Sequence, residues 1–159
     1  MFDFKQSCII LNKPSGVSSN HALSKIKKKL NQKKGGFSGT LDPLASGLLI
    51  VFLNKATKLC SFFLNADKSY QATIKLGLTS TTGDITGEIT SSSQIPDIKN
   101  IDLKKIEKKF LGSIEQTPPM FSALKYKGTR LYEYARKGIE VNRSSRNINI
   151  YDINLEFDN

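Results

Sequence analysis

Gly39-Thr40-Leu41-Asp42-Pro43-Leu44-Ala45-Ser46-Gly47 runs directly into Leu48-Leu49-Ile50-Val51-Phe52-Leu53, and this junction sets the reading of the whole chain. The second part is the longest apolar run present, and it predicts a buried strand. It is far short of the ~20 residues that a membrane-spanning helix needs. The first part is a loop punctuated by glycines, which permit backbone angles other residues avoid and let a ligand approach closely. Pro43 stiffens the position after the only acidic residue of the loop. A carboxylate on a short loop anchored to a buried strand is a common catalytic arrangement. An Asp before Pro also serves simply to hold its own turn, and spacing alone leaves both readings open.

Outward toward the N-terminus, Cys8-Ile9-Ile10-Leu11 is a β-prone run stopped by Asn12-Lys13-Pro14-Ser15-Gly16. Ser18, Ser19 and Asn20 are good N-caps, and Ala22, Leu23, Ile26 and Leu30 then recur at helical spacing. Lys25, Lys27, Lys28 and Lys29 give this helix a basic exposed side, and Lys33-Lys34-Gly35-Gly36 ends it. Toward the C-terminus, 55–64 reads as a short helix, and Tyr70, Ala72, Ile74 and Leu76 alternate as in a half-buried strand. Gly83-Asp84 and Gly87 punctuate a hairpin, 91–100 is a polar loop, and Leu103, Ile106, Phe110 and Leu111 mark an amphipathic helix. Gln116-Thr117-Pro118-Pro119 breaks the chain before a short strand, Phe121–Tyr126. Lys127-Gly128 turns it into a helix near 129–137, capped by Gly138. Ile148 and Ile150 shift phase to Ile153, Leu155 and Phe157, which predicts a bulge. That strand runs to Asp158-Asn159, residues that open a turn, so an unpaired edge is expected there, as though a C-terminal partner were missing.

The 159 residues match one ordinary domain, and 38% hydrophobic with 24% charged residues supports a packed core over disorder. Met1-Phe2-Asp3-Phe4-Lys5 lacks the layout of a secretory signal. Cys8 and Cys60 sit in apolar stretches and read as buried free thiols of a reducing cytosol; two cysteines exclude a zinc or disulfide framework. The net charge of +10 is uneven, with +8 in residues 1–60, +4 in 101–140 and −1 in each of 61–100 and 141–159. Such blocks suit a polyanion, although a lysine-rich composition bias would give a similar total. The lone His21, near a helix start, reads as a surface residue and not a general base. No metal-ligand cluster, phosphate loop or dinucleotide fingerprint is present, and no histidine is placed to serve a nucleophilic serine.

Residues 39–49 closely resemble the active-site segment of the TruB family of tRNA pseudouridine synthases. Three further blocks agree in order. Leu11–Ser19 is similar to the family's lysine-proline motif, Asp67-Lys68-Ser69-Tyr70 to its tyrosine-bearing strand, and 118–128 continuing through 130–138 to its later block. The resemblance implies an α+β pseudouridine synthase fold, a mixed, largely antiparallel sheet flanked by helices, forming one catalytic domain over 1–159 with no second domain. It implies isomerisation of uridine to pseudouridine in the T loop of tRNA (conventionally position 55), with no cofactor and no metal. Asp42 would be the catalytic aspartate, as nucleophile or as base on the sugar. Lys13, Phe37, Tyr70 and Arg130 would bind substrate, with Tyr70 against the target base and Lys13 supporting the loop. The clustered lysines, Arg130 and Arg136 would hold phosphates. The resemblance further implies a cytoplasmic monomer without an obligate protein partner or membrane.

Two departures stand out. Phe37 occupies the position where the family usually has a histidine, and it offers a ring but no hydrogen bond. The family's C-terminal section, which brings a basic residue to the aspartate and often an RNA-binding PUA domain, has no counterpart in these residues. Lys13 is then the motif lysine expected near enough to act as the cation for Asp42. Two other readings compete: a tRNA-binding or folding module without chemistry, and a relative guided by a separate RNA, disfavoured by compactness and by the later block.

Attraction dominated by the basic blocks makes tRNA binding strongly salt-dependent. With about five phosphates contacted, the log–log slope of affinity against salt is expected between about −3 and −5, at ~0.7–0.9 per phosphate. A slope near zero in a salt titration would assign the lysines to composition bias instead.

Overall fold

A computed structural model describes residues 7–158; Met1–Gln6 and Asn159, and with them the expected turn at Asp158-Asn159, lie outside the described residues. The chain divides into two compact units, Met1–Gln71 and Ala72–Asn159. No linker composition marks that boundary, which is why length and composition point to a single domain.

The first unit is built around the apolar run. β1 (Cys8–Lys13), β2 (Gly35–Ser38) and β3 (Gly47–Leu53) form an antiparallel sheet in the order β1-β3-β2. The register pairs Lys13 with Gly47 and Phe37 with Val51. Leu49, Val51 and Leu53 point to one face and are buried with Ala22 and Leu23 of α1 (Ser19–Lys29). Full burial of each such side chain stabilises by roughly 1.5–3 kcal/mol. Phe52 points to the other face, its ring 5.5 Å from Phe63 of α2 (Cys60–Leu64). Farther along that second face, Ile10 and Leu48 are exposed.

α1 starts as expected, with the Ser18 hydroxyl accepting from the His21 N–H at 3.2 Å. It ends earlier than the glycine pair suggests, because Asn31 adopts a left-handed φ of 51°. Gly35-Gly36 instead opens a strand that sequence reading assigns to the helix end and loop. A Cβ on Gly35 would sit 3.0 Å from Leu23 Cδ1, and one on Gly36 would sit 3.2 Å from Cys60 Sγ. At these two positions a side chain would crowd Leu23 on one face and Cys60 on the other, and those neighbours would have to shift by a few tenths of an ångström. The expected helix over 55–64 is a 3-10 segment, Asn54–Leu59, followed by α2.

The strand expected from Tyr70 to Leu76 does not form: residues 67–75 carry no ladder and are exposed. Strand pairing starts in the second unit with β4 (Leu78–Ser80) and β5 (Ile89–Ser92), the expected hairpin. In its turn, Asp84 accepts from the Thr86 hydroxyl at 2.6 Å, the Thr86 N–H at 2.8 Å and the Thr82 hydroxyl at 2.7 Å. The Thr86 hydroxyl, first, and the others hold this carboxyl below the ordinary aspartate range. α3 (Leu103–Phe110), capped by Asp102, leads to β6 (Gly112–Gln116), an element that sequence reading passes over. β6 pairs antiparallel with β9 (Arg146–Ile150).

Of the expected strand Phe121–Tyr126, only β7 (Lys125–Tyr126) forms, paired with β8 (Thr129–Arg130), and α4 (Leu131–Ala135) follows. Beyond β9, residues 151–158 form no strand, so the expected bulge is absent and β9 ends at Ile150. The class is α+β, with every strand pair of the described residues antiparallel and divided among four small sheets. Among the described residues, no helix is long and apolar enough to cross a membrane.

Glu107 of α3 anchors the C-terminal segment. Its buried carboxylate accepts from Lys104 Nζ and from the Leu155 N–H, each at 2.8 Å. Lys104, first, and the Leu155 N–H hold its pKa below the usual glutamate value. A depressed carboxylate adds stability above its unfolded pKa and loses it as pH falls through the folded value. The anchor is thus expected to release only in acid. In Glu107→Ala, hydrogen exchange at the Leu155 amide should quicken at neutral pH by about tenfold or more. An unchanged rate would show that the segment is held by other contacts.

Candidate active site

The loop carrying Asp42 is fixed from below by the turn that follows β1. Lys13 is fully buried, and its ammonium donates to three backbone carbonyls, Val17 O at 2.6 Å, Pro14 O at 2.9 Å and Pro43 O at 3.3 Å. A lysine carries three N–H donors and no acceptor, so its capacity is filled. The Gly16 N–H also donates to Pro43 O at 2.8 Å, and the Ser15 hydroxyl donates to Leu44 O at 2.7 Å. On the other side of Asp42, the buried Ser19 hydroxyl donates to Leu41 O at 2.9 Å and accepts from the Leu41 N–H at 3.0 Å. The Ala45 N–H closes the turn onto Asp42 O at 3.1 Å. Gly39 and Gly47, at φ 74° and 121°, supply the left-handed backbone at the two ends of the loop.

Leu41, Pro43 and Leu44 are each tied down, yet the Asp42 side chain is exposed and has no hydrogen-bond or ion-pair partner among the described residues. Lys13, expected as its cation, makes no ion pair with it and is committed to carbonyls. An exposed carboxylate on an immobilised loop keeps its charge and its lone pairs for a ligand. Among the described residues, no group of acidic, histidine or cysteine side chains could hold a metal ion.

The other expected residues fall in different settings. Phe37, on β2, is half-buried and packs against the core cluster of α1 and β3. Tyr70 is 74% exposed in an extended stretch without strand partners. Lys68, two residues before it, donates to Leu64 O at 2.9 Å and Ala66 O at 2.7 Å, capping the end of α2. Its Cε lies 3.9 Å from where a Cβ on Gly39 would sit, so this stem lies over the start of the loop. Arg130 belongs to the second unit, half-buried in the β7–β8 hairpin, with Nη1 donating to Ala123 O at 3.3 Å. Near it in sequence, Arg136 stacks on Tyr132 at 5.4 Å and Tyr126 meets Tyr134 edge-on at 6.0 Å.

Sequence reading missed Ser19 and Lys68. Ser18 and Ser19 both look like caps, but one helix takes one N-cap, and the surplus serine was the available signal. His21 is exposed, as expected. The thiols are free, but Cys8 is exposed and Cys60 only half-buried, so their burial was overestimated. Burial, first, raises the Cys60 pKa.

Fold and loop together define an α+β protein that presents one free carboxylate from a rigid glycine-framed turn. A family model described as TruB family pseudouridylate synthase (N terminal domain) matches residues 27–158. The chain belongs to the TruB family of pseudouridylate synthases. It is 48% identical over 149 residues to tRNA pseudouridine synthase B of Bordetella avium, covering 92% of this chain and 61% of that one. Against the Methylococcus capsulatus protein of the same name it is 46% identical over 147 residues, covering 92% and 66%. Against that of Neisseria meningitidis it is 48% identical over 151 residues, covering 94% and 49%. The chain thus spans about half to two thirds of the length of these relatives. A solved structure, the crystal structure of a Cbf5-Nop10-Gar1 complex, contains a chain with the same fold at TM-score 0.59 and 27% identity, covering 98% of this chain and 37% of that one.

Replacing Lys13 by Met keeps the stem and removes the ammonium, leaving Pro14 O and Val17 O without their donor. We expect a stability loss of about 1–3 kcal/mol, read by urea unfolding, with faster exchange at the Gly16 amide. Unchanged stability and exchange would mean that the loop is held without the lysine.

Proposed function

We propose that this chain converts uridine to pseudouridine in tRNA, in the T loop, with Asp42 as the catalytic group. One observation carries the reading: the Asp42 carboxylate is free and exposed while the peptides on both sides of it are immobilised. Its relatives' name, tRNA pseudouridine synthase B, supplies the substrate class. The reaction balances without a cofactor. The bond from the sugar C1′ to uracil N1 breaks, the uracil rotates, and C1′ bonds to C5. The C5 hydrogen leaves to solvent and N1 takes a proton.

A carboxylate suits either role open to it, attack on the sugar carbon or removal of a sugar proton. Either role requires it ionised and reproducibly placed, which a loop tied at Leu41, Pro43 and Leu44 provides. Lys13 serves by holding that loop. The target base must leave its stack to reach Asp42, and the exposed ring of Tyr70 is suited to receive it. Phe37, packed into the core and unable to hydrogen-bond, makes recognition weaker or turnover slower than a histidine would. Arg130, with one N–H donor engaged by a carbonyl, keeps others for phosphate. The protein works in the cytoplasm, as a monomer.

Tritium release from tRNA labelled at uridine C5 reads the reaction directly. Asp42→Asn keeps the shape and removes the charge, so the rate is expected to fall at least about 1000-fold, ~4 kcal/mol of barrier, with tRNA affinity within a few-fold. Retained activity in the variant would end the assignment of Asp42. Tight tRNA binding with no release by the unaltered chain would identify a tRNA-binding or folding module instead.

A further inference from the structure

We propose that the outward stripe of α1 is a phosphate track for the RNA strand that flanks the target uridine. The proposal rests on RNA being the ligand of the Asp42 loop. His21, Lys25, Lys28 and Lys29 are exposed, with Lys25 four residues after His21 and Lys28 and Lys29 three and four residues after Lys25, on the side of the helix away from the buried Leu23. Lys33 and Lys34, also exposed, extend the run past the helix end. No Asp or Glu occurs between Asp3 and Asp42, and none of these lysines has an ion-pair or hydrogen-bond partner among the described residues. Like charges at these steps repel within a helix, a cost that a polyanion laid along them removes. Lys27 is excluded, since its stem packs over Gly35.

Position singles out this helix. Ser19, its first residue, is the one whose hydroxyl holds Leu41 beside Asp42. The first turn of the helix therefore abuts the loop, and the stripe on its outer side leads away from that end for ~12 Å, at 1.5 Å per residue over the eight steps from His21 to Lys29. A strand with its uridine at Asp42 meets the lysines in succession. The lysines of α3 are arranged differently, with Asp102 and Glu107 among them and Lys104 already paired.

The test compares the full chain with K25Q/K28Q/K29Q and with a charge-matched K105Q/K108Q/K109Q on one tRNA transcript. The α1 variant is expected to bind at least about tenfold more weakly at low salt, with its log–log salt slope reduced by about 2–3, at 0.7–0.9 per lost contact. Unfolding at an unchanged or higher temperature confirms that the variant is folded. An unchanged slope in the α1 variant, or an equal fall in the α3 variant, overturns the track; activity of the unaltered chain would still leave the proposed function standing. An unaltered chain that forms no pseudouridine overturns the proposed function, whereas a lower slope for the α1 variant on that RNA still supports the track.

Discussion

Three carbonyls around one buried ammonium organise the first unit. A lysine removed from water must be compensated, and the usual compensation is a carboxylate. Lys13 is compensated by backbone dipoles from Pro14, Val17 and Pro43 instead. The choice draws together the end of β1, the entry to α1 and the peptide next to Asp42. It also leaves Asp42 unspent. Had the lysine taken Asp42 as its partner, the only charge of the loop would have been neutralised. Rigidity and reactivity are thus obtained from separate groups, which explains how one short turn can be both anchored and available.

Where local pattern and tertiary demand coincide, the chain was readable in advance. β1, α1 and β3 follow from an apolar run, a serine cap and helical spacing, and each is confirmed by its register or its buried face. β2 was hidden because its glycines look like a terminator, whereas they answer to Leu23 on one face and Cys60 on the other. Alternation from Tyr70 to Leu76 describes a side-chain pattern, and a strand exists only with a partner; none pairs with it among the described residues. β6 has a single large apolar residue, Ile114, and owes its existence to β9, some thirty residues on in the chain. Such pairings are absent from any local window.

The site was legible to a similar degree. Asp42 and its glycine frame stand out from spacing, and the ordered blocks supply the chemistry. The supporting contacts do not stand out, because Ser15, Ser19 and Lys13 act across 22 to 30 residues of sequence. Lys13 shows the difficulty well: the resemblance implies support for the loop, its type alone suggests a surface group or a partner for Asp42, and its burial and its three carbonyl bonds are not visible in any local pattern. Phe37 is similar. A phenylalanine in place of a hydrogen-bonding residue looks like a change at the ligand, yet its ring is half-buried against the core.

Unspent charge is the common thread of the first unit. The ion pairs among the described residues, Lys104–Glu107 and Arg143–Glu140, both lie in the second unit. In the first, Lys13 is satisfied by carbonyls and Lys68 by the end of α2, while Asp42 and the exposed α1 lysines have no partner among the described residues. A fold selected only for stability would pair some of these, since an uncompensated run of like charges works against the compact state. Leaving them unpaired makes sense if the missing counter-charges arrive with the ligand, phosphates for the lysines and a developing positive sugar for the carboxylate. On the proposed reading, the lysines would attract the RNA backbone while Asp42, which pairs with none of them among the described residues, would stay available to the sugar.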